Sequence, residues 1–125
     1  MKHVALTPNL NVNDLPRSIR FYHEVVQLEI HQTVPDKEPF IFAWMKAKDG
    51  DVAVFLNDRR AAGENAQPSA AISLYFVIEG LKDCLDRARQ YGAIIVKEPF
   101  EQFYGMREFI CEDPDGFVVI FAERM

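Results

Sequence analysis

Apolar residues recur along the chain in two spacings, one typical of strands and the other of helices. Alternating apolar positions from Leu6 to Val12 predict a first strand. An apolar stripe at every third or fourth position then predicts a helix that begins after Asp14 and runs to about Val26. Three more strands are predicted at Glu29–Val34, Phe40–Lys46 and Asp51–Leu56.

The same order of elements appears again in the second half. The polar segment Asn57–Ser69 is interpreted as a connecting loop, because it is rich in small residues and contains Gly63 and Pro68. A strand at Ala71–Ile78 follows it, and a helical stripe from Leu81 to Ala88 ends before Gly92. The last three predicted strands are Ala93–Lys97, Met106–Cys111 and Phe117–Ala122.

The two halves correspond at a constant offset of 66 residues. The corresponding pairs are Leu15 with Leu81, Ile19 with Leu85, Tyr22 with Ala88, Asp49-Gly50 with Asp115-Gly116, and Phe55 with Phe121. Several pairs at one offset indicate an internal repeat. The sequence therefore predicts an α+β fold, in which two tandem βαβββ modules form a curved mixed sheet around a central cavity. Residues 1–125 are expected to be a single domain, with modules at about 1–60 and 70–125.

Composition narrows the classes of partner. The formal net charge of −5 argues against nucleic acid as a partner. It is compatible with a cationic ligand, although an acidic surface that only keeps the protein soluble is the simpler interpretation. No apolar run approaches the roughly 18 residues of a membrane span, and the first residues do not form a secretion signal. We therefore expect a cytoplasmic protein, without a membrane partner, in which Cys84 and Cys111 are reduced structural thiols.

Two motifs carry a resemblance to a known family. The segment Pro8–Leu15 with Ser18–Tyr22 resembles the first strand and helix of the vicinal oxygen chelate superfamily, also called the glyoxalase/bleomycin-resistance fold. Asp113–Gly116 resembles the final turn of that fold. The resemblance covers essentially the whole chain. It implies a ligand cavity and, in the enzymes of the superfamily, a divalent metal held by His, Gln or Glu at four strand positions.

The resemblance places those four positions on residues that are poor metal ligands. They are Thr7, Phe55 (or Val54 if the register slips by one), Ser73 and Ile120. Phenylalanine and isoleucine have no donor atom, and two hydroxyls alone bind a cation poorly. The histidines, His3, His23 and His31, are not expected to converge, and Glu112, Asp113 and Asp115 are interpreted as turn residues. We therefore expect no metal and no cofactor.

Within the superfamily, the chain is most similar to the bleomycin-resistance proteins. Pro8 and the segment Glu101–Phe109 are the residues that resemble this branch, with departures at Gln27, Tyr104 and the inserted Met106. The resemblance implies a metal-free homodimer, with exchange of the N-terminal arm, that sequesters an antibiotic or another planar aromatic ligand. The alternative is an enzyme, a glyoxalase-like lyase or isomerase with an atypical or absent metal site. No nucleophile–base pair supports catalysis, and the binding protein is favoured.

Aromatic residues supply the candidate binding surface. Phe40, Phe42 and Trp44 alternate along one predicted strand and so share a face; they either line a cavity or form core. The aromatic residues Phe103 and Tyr104 lie in a predicted loop, where a ligand or a second subunit is expected to cover them. Arg107, which follows them, either binds a ligand or forms an ion pair with a carboxylate. The candidate ligand-binding residues are Phe40, Phe42, Trp44, Phe55, Phe103, Tyr104, Gly105 and Arg107.

Overall fold

The computed structural model describes residues 1–62, 68 and 71–125. The chain divides into two compact units. Unit 1 comprises Met1–His23 and Gln27–Gln67, and unit 2 comprises Glu24–Val26 and Pro68–Met125. That these units together form one domain stays a prediction, as does a cavity enclosed by the chain.

The secondary-structure elements follow the order predicted from the sequence. The first module contains β1 (Asn9–Val12), α1 (Leu15–Glu24), β2 (Glu29–Val34), β3 (Phe42–Lys46), β4 (Ala53–Asp58) and a short helix, α2 (Arg59–Ala62). The second module contains β5 (Ser73–Val77), α3 (Leu81–Tyr91), β6 (Ile94–Gln102), β7 (Met106–Glu112) and β8 (Val118–Arg124). None of the described helices is long and apolar enough to cross a membrane.

Both modules build a sheet with the same strand order. The first sheet is ordered β1-β4-β3-β2 and the second β5-β8-β7-β6. In each sheet the first strand pairs in parallel with the fourth, and the remaining pairs are antiparallel. The predicted α+β fold of two tandem βαβββ modules is therefore confirmed.

Each sheet has one buried face and one open face. In the first sheet the buried residues are Leu10, Val12, Ala43, Met45, Val54 and Leu56. In the second they are Leu74, Phe76, Phe109, Cys111, Val119 and Phe121. The helices α1 and α3 each bury an apolar stripe of their own, as a helix packed on a sheet requires. We call the other side of each sheet its open face.

Several element boundaries differ from the prediction, and the largest difference is in β6, which ends at Gln102 instead of Lys97. β1 begins at Asn9 instead of Leu6, and β3 begins at Phe42 instead of Phe40. Pro8 directly precedes the start of β1, and a proline has no N–H to donate to a strand ladder. The predicted loop from Asn57 in fact begins with the end of β4 and the helix α2, while residues 63–67 and 69–70 lie outside the described residues. Asp58 promotes α2, because its Oδ1 accepts the Arg60 N–H at 2.9 Å.

The correspondence of Phe55 with Phe121 is wrong, because the two residues lie on different kinds of face. Phe121 is buried, whereas Phe55 is on the open face of its sheet. The offset of 66 holds between β3 and β7, where Ala43 and Phe109 are both buried. However, the hairpin of residues 113–117 is one residue shorter than that of residues 47–52, so β8 is shifted by one position. The structural counterpart of Phe55 is Ile120.

Candidate functional site

An aromatic cluster covers the open face of the first sheet. Phe42 and Trp44 on β3 lie beside Phe55 on the neighbouring strand β4, and all three are half-buried. The Phe55 ring centroid is 5.3 Å from that of Phe42 and 5.7 Å from that of Trp44, with the Trp44 pair edge to face. Such ring pairs contribute about 0.5–1.5 kcal/mol each beyond the area that they bury. Phe40, which was predicted to share this face, precedes β3 and makes none of these ring pairs.

The indole N–H of Trp44 is a buried donor in need of an acceptor. Its Nε1 atom is buried, and no acceptor within the described ranges lies at hydrogen-bond distance. The ring of His31 packs against the indole at a centroid distance of 4.3 Å without accepting this hydrogen. An unsatisfied buried donor costs roughly 1–3 kcal/mol, so this N–H lowers the stability of the folded module.

The strand positions expected to hold a metal do not fit one. Thr7 precedes β1, and the residue opposite Phe55 in the sheet is Asn9. In the second sheet, Tyr75 is opposite Ile120, while Ser73 lies opposite Val118. On the open face of the first sheet the amide of Asn9 lies beside Phe55, and on that of the second the phenol of Tyr75 lies beside Ile120. Phenylalanine and isoleucine have no donor atom, so neither pair is a ligand set for a divalent cation.

The histidines lie apart from one another and from the acidic residues. His23 places its Nδ1 3.0 Å from the Leu28 carbonyl oxygen, and His3 and His31 are exposed. Among the described residues, no three His, Cys, Asp or Glu side chains are placed to hold a metal ion. Asp113 accepts the N–H groups of Asp115 and Phe117 at 2.8 and 3.0 Å, which is the turn role expected of it.

A second cluster, formed by Glu108, Tyr75, Tyr104 and Gln102, lies in unit 2. Glu108 faces away from the buried Phe109 on β7, yet its exposed fraction is only 2%. The hydroxyls of Tyr75 and Tyr104 both donate to Glu108 Oε2, the latter at 2.6 Å. Gln102 Nε2 donates to Oε1 at 3.3 Å. We call these four residues the Glu108 cluster.

Hydrogen bonding sets the ionisation of the Glu108 cluster. Burial alone disfavours the carboxylate, but the hydrogen bonds from Tyr104, Tyr75 and Gln102 outweigh it and lower the pKa of Glu108 below its ordinary 4.5. The same bonds hold the phenols in their protonated form. Hydrogen bonding to Glu108, followed by burial, raises the pKa of Tyr75 and also that of Tyr104. Glu108 is therefore an anion at neutral pH, and both tyrosines are neutral donors.

The loop before β7 presents its aromatic residues to solvent. Phe103 is fully exposed, and Tyr104 is 47% exposed with its ring 5.1 Å from that of Phe103. Gly105 has a φ of 83°, in the left-handed region that favours glycine, and its N–H donates to the Gln102 carbonyl at 3.2 Å. The turn thereby aims the Tyr104 hydroxyl back at Glu108.

Arg107 lies on the other face of β7 from Glu108. It lines a shallow cleft of about 300 Å³ together with Leu81, Lys82, Leu85, Pro99 and Glu123. Its partners on the two neighbouring strands are Glu101 and Glu123, so acidic residues flank it on both sides. Of the predicted residues in the second half, the Glu108 cluster includes Tyr104 and does not include Arg107. A ligand-binding role for each predicted residue stays a prediction.

Tyr75, Glu108 and Gln102 were not predicted as a group from the sequence. One signal was available, because the 66-residue offset places Glu108 at the position of the aromatic residue Phe42. A charged residue at a strand position that is apolar in the other module indicates that hydrogen-bond donors surround it. The convergence of Tyr75 depends on strand order, which spacing alone does not reveal.

Comparisons with known proteins agree with this architecture. The sequence model of one family, the glyoxalase/bleomycin resistance protein/dioxygenase superfamily, matches residues 1–121 of the chain. No curated protein sequence shows significant similarity to the chain.

Several solved structures share the fold. TnmS3, an antibiotic binding protein from Streptomyces sp. CB03234, is 18% identical, with a TM-score of 0.77 and all of both chains covered. FosX, a genomically encoded fosfomycin resistance protein from Listeria monocytogenes, is 15% identical with a TM-score of 0.75, covering 100% of this chain and 96% of its own. A virulence protein from Salmonella typhimurium is 22% identical, with a TM-score of 0.75 and full coverage of both chains. At these identities the similarity extends to the fold alone.

Proposed function

The chain belongs to the glyoxalase/bleomycin resistance protein/dioxygenase superfamily, and from this premise we propose that it is a metal-free protein that sequesters a planar aromatic small molecule, such as an antibiotic. The observation that carries the proposal is the half-buried cluster of Phe42, Trp44 and Phe55 on the open face of the first sheet. Ligand pockets are mostly hydrophobic and aromatic, with a few polar groups that fix orientation.

The chemistry of the cluster fits a flat ligand. The half-buried rings offer faces and edges on which a planar heteroaromatic group stacks. The absence of donor atoms at Phe55 and Ile120 supports binding without a metal ion. TnmS3, a structural neighbour, is an antibiotic binding protein. Homodimer formation and a cytoplasmic location remain part of the proposal.

The test is a fluorescence titration of the purified protein with bleomycin and with an anthracycline, each with and without a chelator. Trp44 is the single tryptophan, so its emission reports on the cluster alone. We expect saturable quenching that is the same in the presence of chelator. Stoichiometric zinc or nickel bound after purification would overturn the proposal and favour the glyoxalase-like enzyme instead.

A pair of variants separates stacking from general destabilisation. Phe55→Leu keeps an apolar side chain but removes a ring from the open face, and we expect about a tenfold weaker affinity for a ligand that stacks there. The control is Phe76→Leu, which alters a ring on the buried face of β5 and should lower stability without changing affinity. Equal affinities for the wild type and Phe55→Leu would exclude the aromatic cluster as the site.

A further inference from the structure

The Glu108 cluster holds a negative charge behind two accessible phenols. Glu108 is 2% exposed, whereas Tyr75 and Tyr104 are 45% and 47% exposed. Both hydroxyls donate their hydrogen to the same carboxylate oxygen. A phenol that donates its hydrogen still has acceptor capacity on its oxygen, and here two such oxygens share one carboxylate oxygen, each on a residue that is nearly half exposed.

The charge of Glu108 has no cationic partner within 4 Å in the part of the chain that the structure describes. Lys97 is the nearby cation that acts on the carboxylate electrostatically, but its ammonium lies over the Phe100 ring, 3.8 Å from the centroid. Hydrogen bonds to an anion polarise the donors, so the carboxylate makes the outer side of both phenols more electronegative. A buried charge without an ion pair is also stabilised by any cation that approaches it.

We propose that Tyr75, Tyr104 and Glu108 form a recognition site for a small organic cation, such as a primary ammonium group. The ammonium donates to the two phenol oxygens, and the carboxylate behind them supplies the attractive charge. The half-exposed tyrosine rings add cation–π attraction. The net charge of −5 increases the local concentration of cations at the surface.

This site is independent of the aromatic cluster on the first sheet. The aromatic cluster belongs to unit 1 and the Glu108 cluster to unit 2, and the two proposals share no residue. The two proposals therefore fail separately, because Phe55→Leu should leave recognition of the ammonium unchanged.

The test compares two probes of the same shape by NMR on the ¹⁵N-labelled protein. Benzylamine is a cation at neutral pH, and benzyl alcohol is its neutral counterpart. We expect saturable shifts of the Tyr75 and Glu108 amide signals with benzylamine, and at least about tenfold weaker binding of benzyl alcohol. Equal binding of the two probes, or no saturable shift at these signals with benzylamine, would overturn the proposal.

Two variants test whether the charge of Glu108 is the one that attracts the ammonium group. Glu108→Gln keeps the shape and still accepts both phenol hydrogens, and we expect it to weaken benzylamine binding about tenfold. Glu101→Gln removes the same charge from an exposed position on β6 and should change the affinity less than twofold. Unchanged binding by Glu108→Gln would show that the cluster only fixes the turn. If that variant does not fold, the comparison of the two probes on the wild type decides.

Discussion

Tyr75 and Glu108 are hydrogen-bonded across an intervening strand. Tyr75 lies on β5, Glu108 on β7, and β8 runs between them in the second sheet. The bond ties the outermost strand of the sheet to its interior independently of the backbone ladder. It also couples the ionisation of two groups whose ordinary pKa values differ by several units.

The first prediction concerns the phenol of Tyr75. Because the hydrogen bond to ionised Glu108 is the main cause of its raised pKa, Glu108→Gln should bring the pKa of Tyr75 back towards 10.0. An alkaline titration followed by the ¹³Cζ NMR signal of Tyr75 measures this. Glu101→Gln is the matched control, and a pKa that stayed as high in Glu108→Gln as in the wild type would contradict the assignment.

The second prediction concerns stability at acidic pH. The pKa of Glu108 is lower in the folded than in the unfolded protein, so ionised Glu108 stabilises the fold above pH 4.5, its ordinary pKa. That contribution is lost as the pH falls through the folded-state pKa. We therefore expect the free energy of unfolding of the wild type to fall more steeply than that of Glu108→Gln between about pH 5 and pH 3. Urea unfolding across this range checks it, and parallel curves would be the contrary result.

The third prediction concerns the backbone after α1. Gln27 has a φ of 61°, the one positive φ of a non-glycine residue within the described ranges. Gln27→Gly should raise the free energy of unfolding by about 0.5–1 kcal/mol, because a side chain is disfavoured in the left-handed region. Thermal or urea unfolding measures the change.

The control for this substitution is Gln90→Gly. Gln90 is exposed within α3, where glycine should lower stability by about 1 kcal/mol. Opposite signs for the two variants support strain at Gln27. A loss of stability in both would mean that the left-handed conformation costs less than the added flexibility of glycine.

The fourth prediction concerns the thiols. Burial raises the pKa of Cys84 to about 11 and that of Cys111 to about 12. Since the thiolate is the reactive form, neither cysteine should react with a thiol reagent at pH 8 until the protein unfolds. A colorimetric assay with and without urea tests this, and rapid labelling of the native protein would contradict the burial of either residue.

The sequence predicts most of the fold because its local signals agree with one another. The apolar stripe of α1, the stop at Gly92 and the turn at Asp115-Gly116 all lie where the pattern places them. α2 was missed because its four residues are too few to show a helical period. The Glu108 cluster was missed because Tyr75 and Glu108 are 33 residues apart and meet only through the strand order.

The face on which a strand residue lies was harder to predict than the strand itself. Phe55 and Phe121 match in identity and in spacing from the helix. However, the hairpin before β8 is one residue shorter than the hairpin before β4, so a constant offset assigns every later residue to the wrong face of the sheet. Trp44 and Phe42 were placed correctly on one face because no such change separates them.

The shorter hairpin also constrains how the two modules can be recombined. A chimera that replaced β8 with β4 by the 66-residue correspondence would turn Val54 and Leu56 outward and bring Phe55 into the core. Splicing at an offset of 65 residues keeps each side chain on its native side. Hairpins of five and six residues support the same strand order, so the offset chosen for splicing decides which side chains of the inserted strand enter the interior.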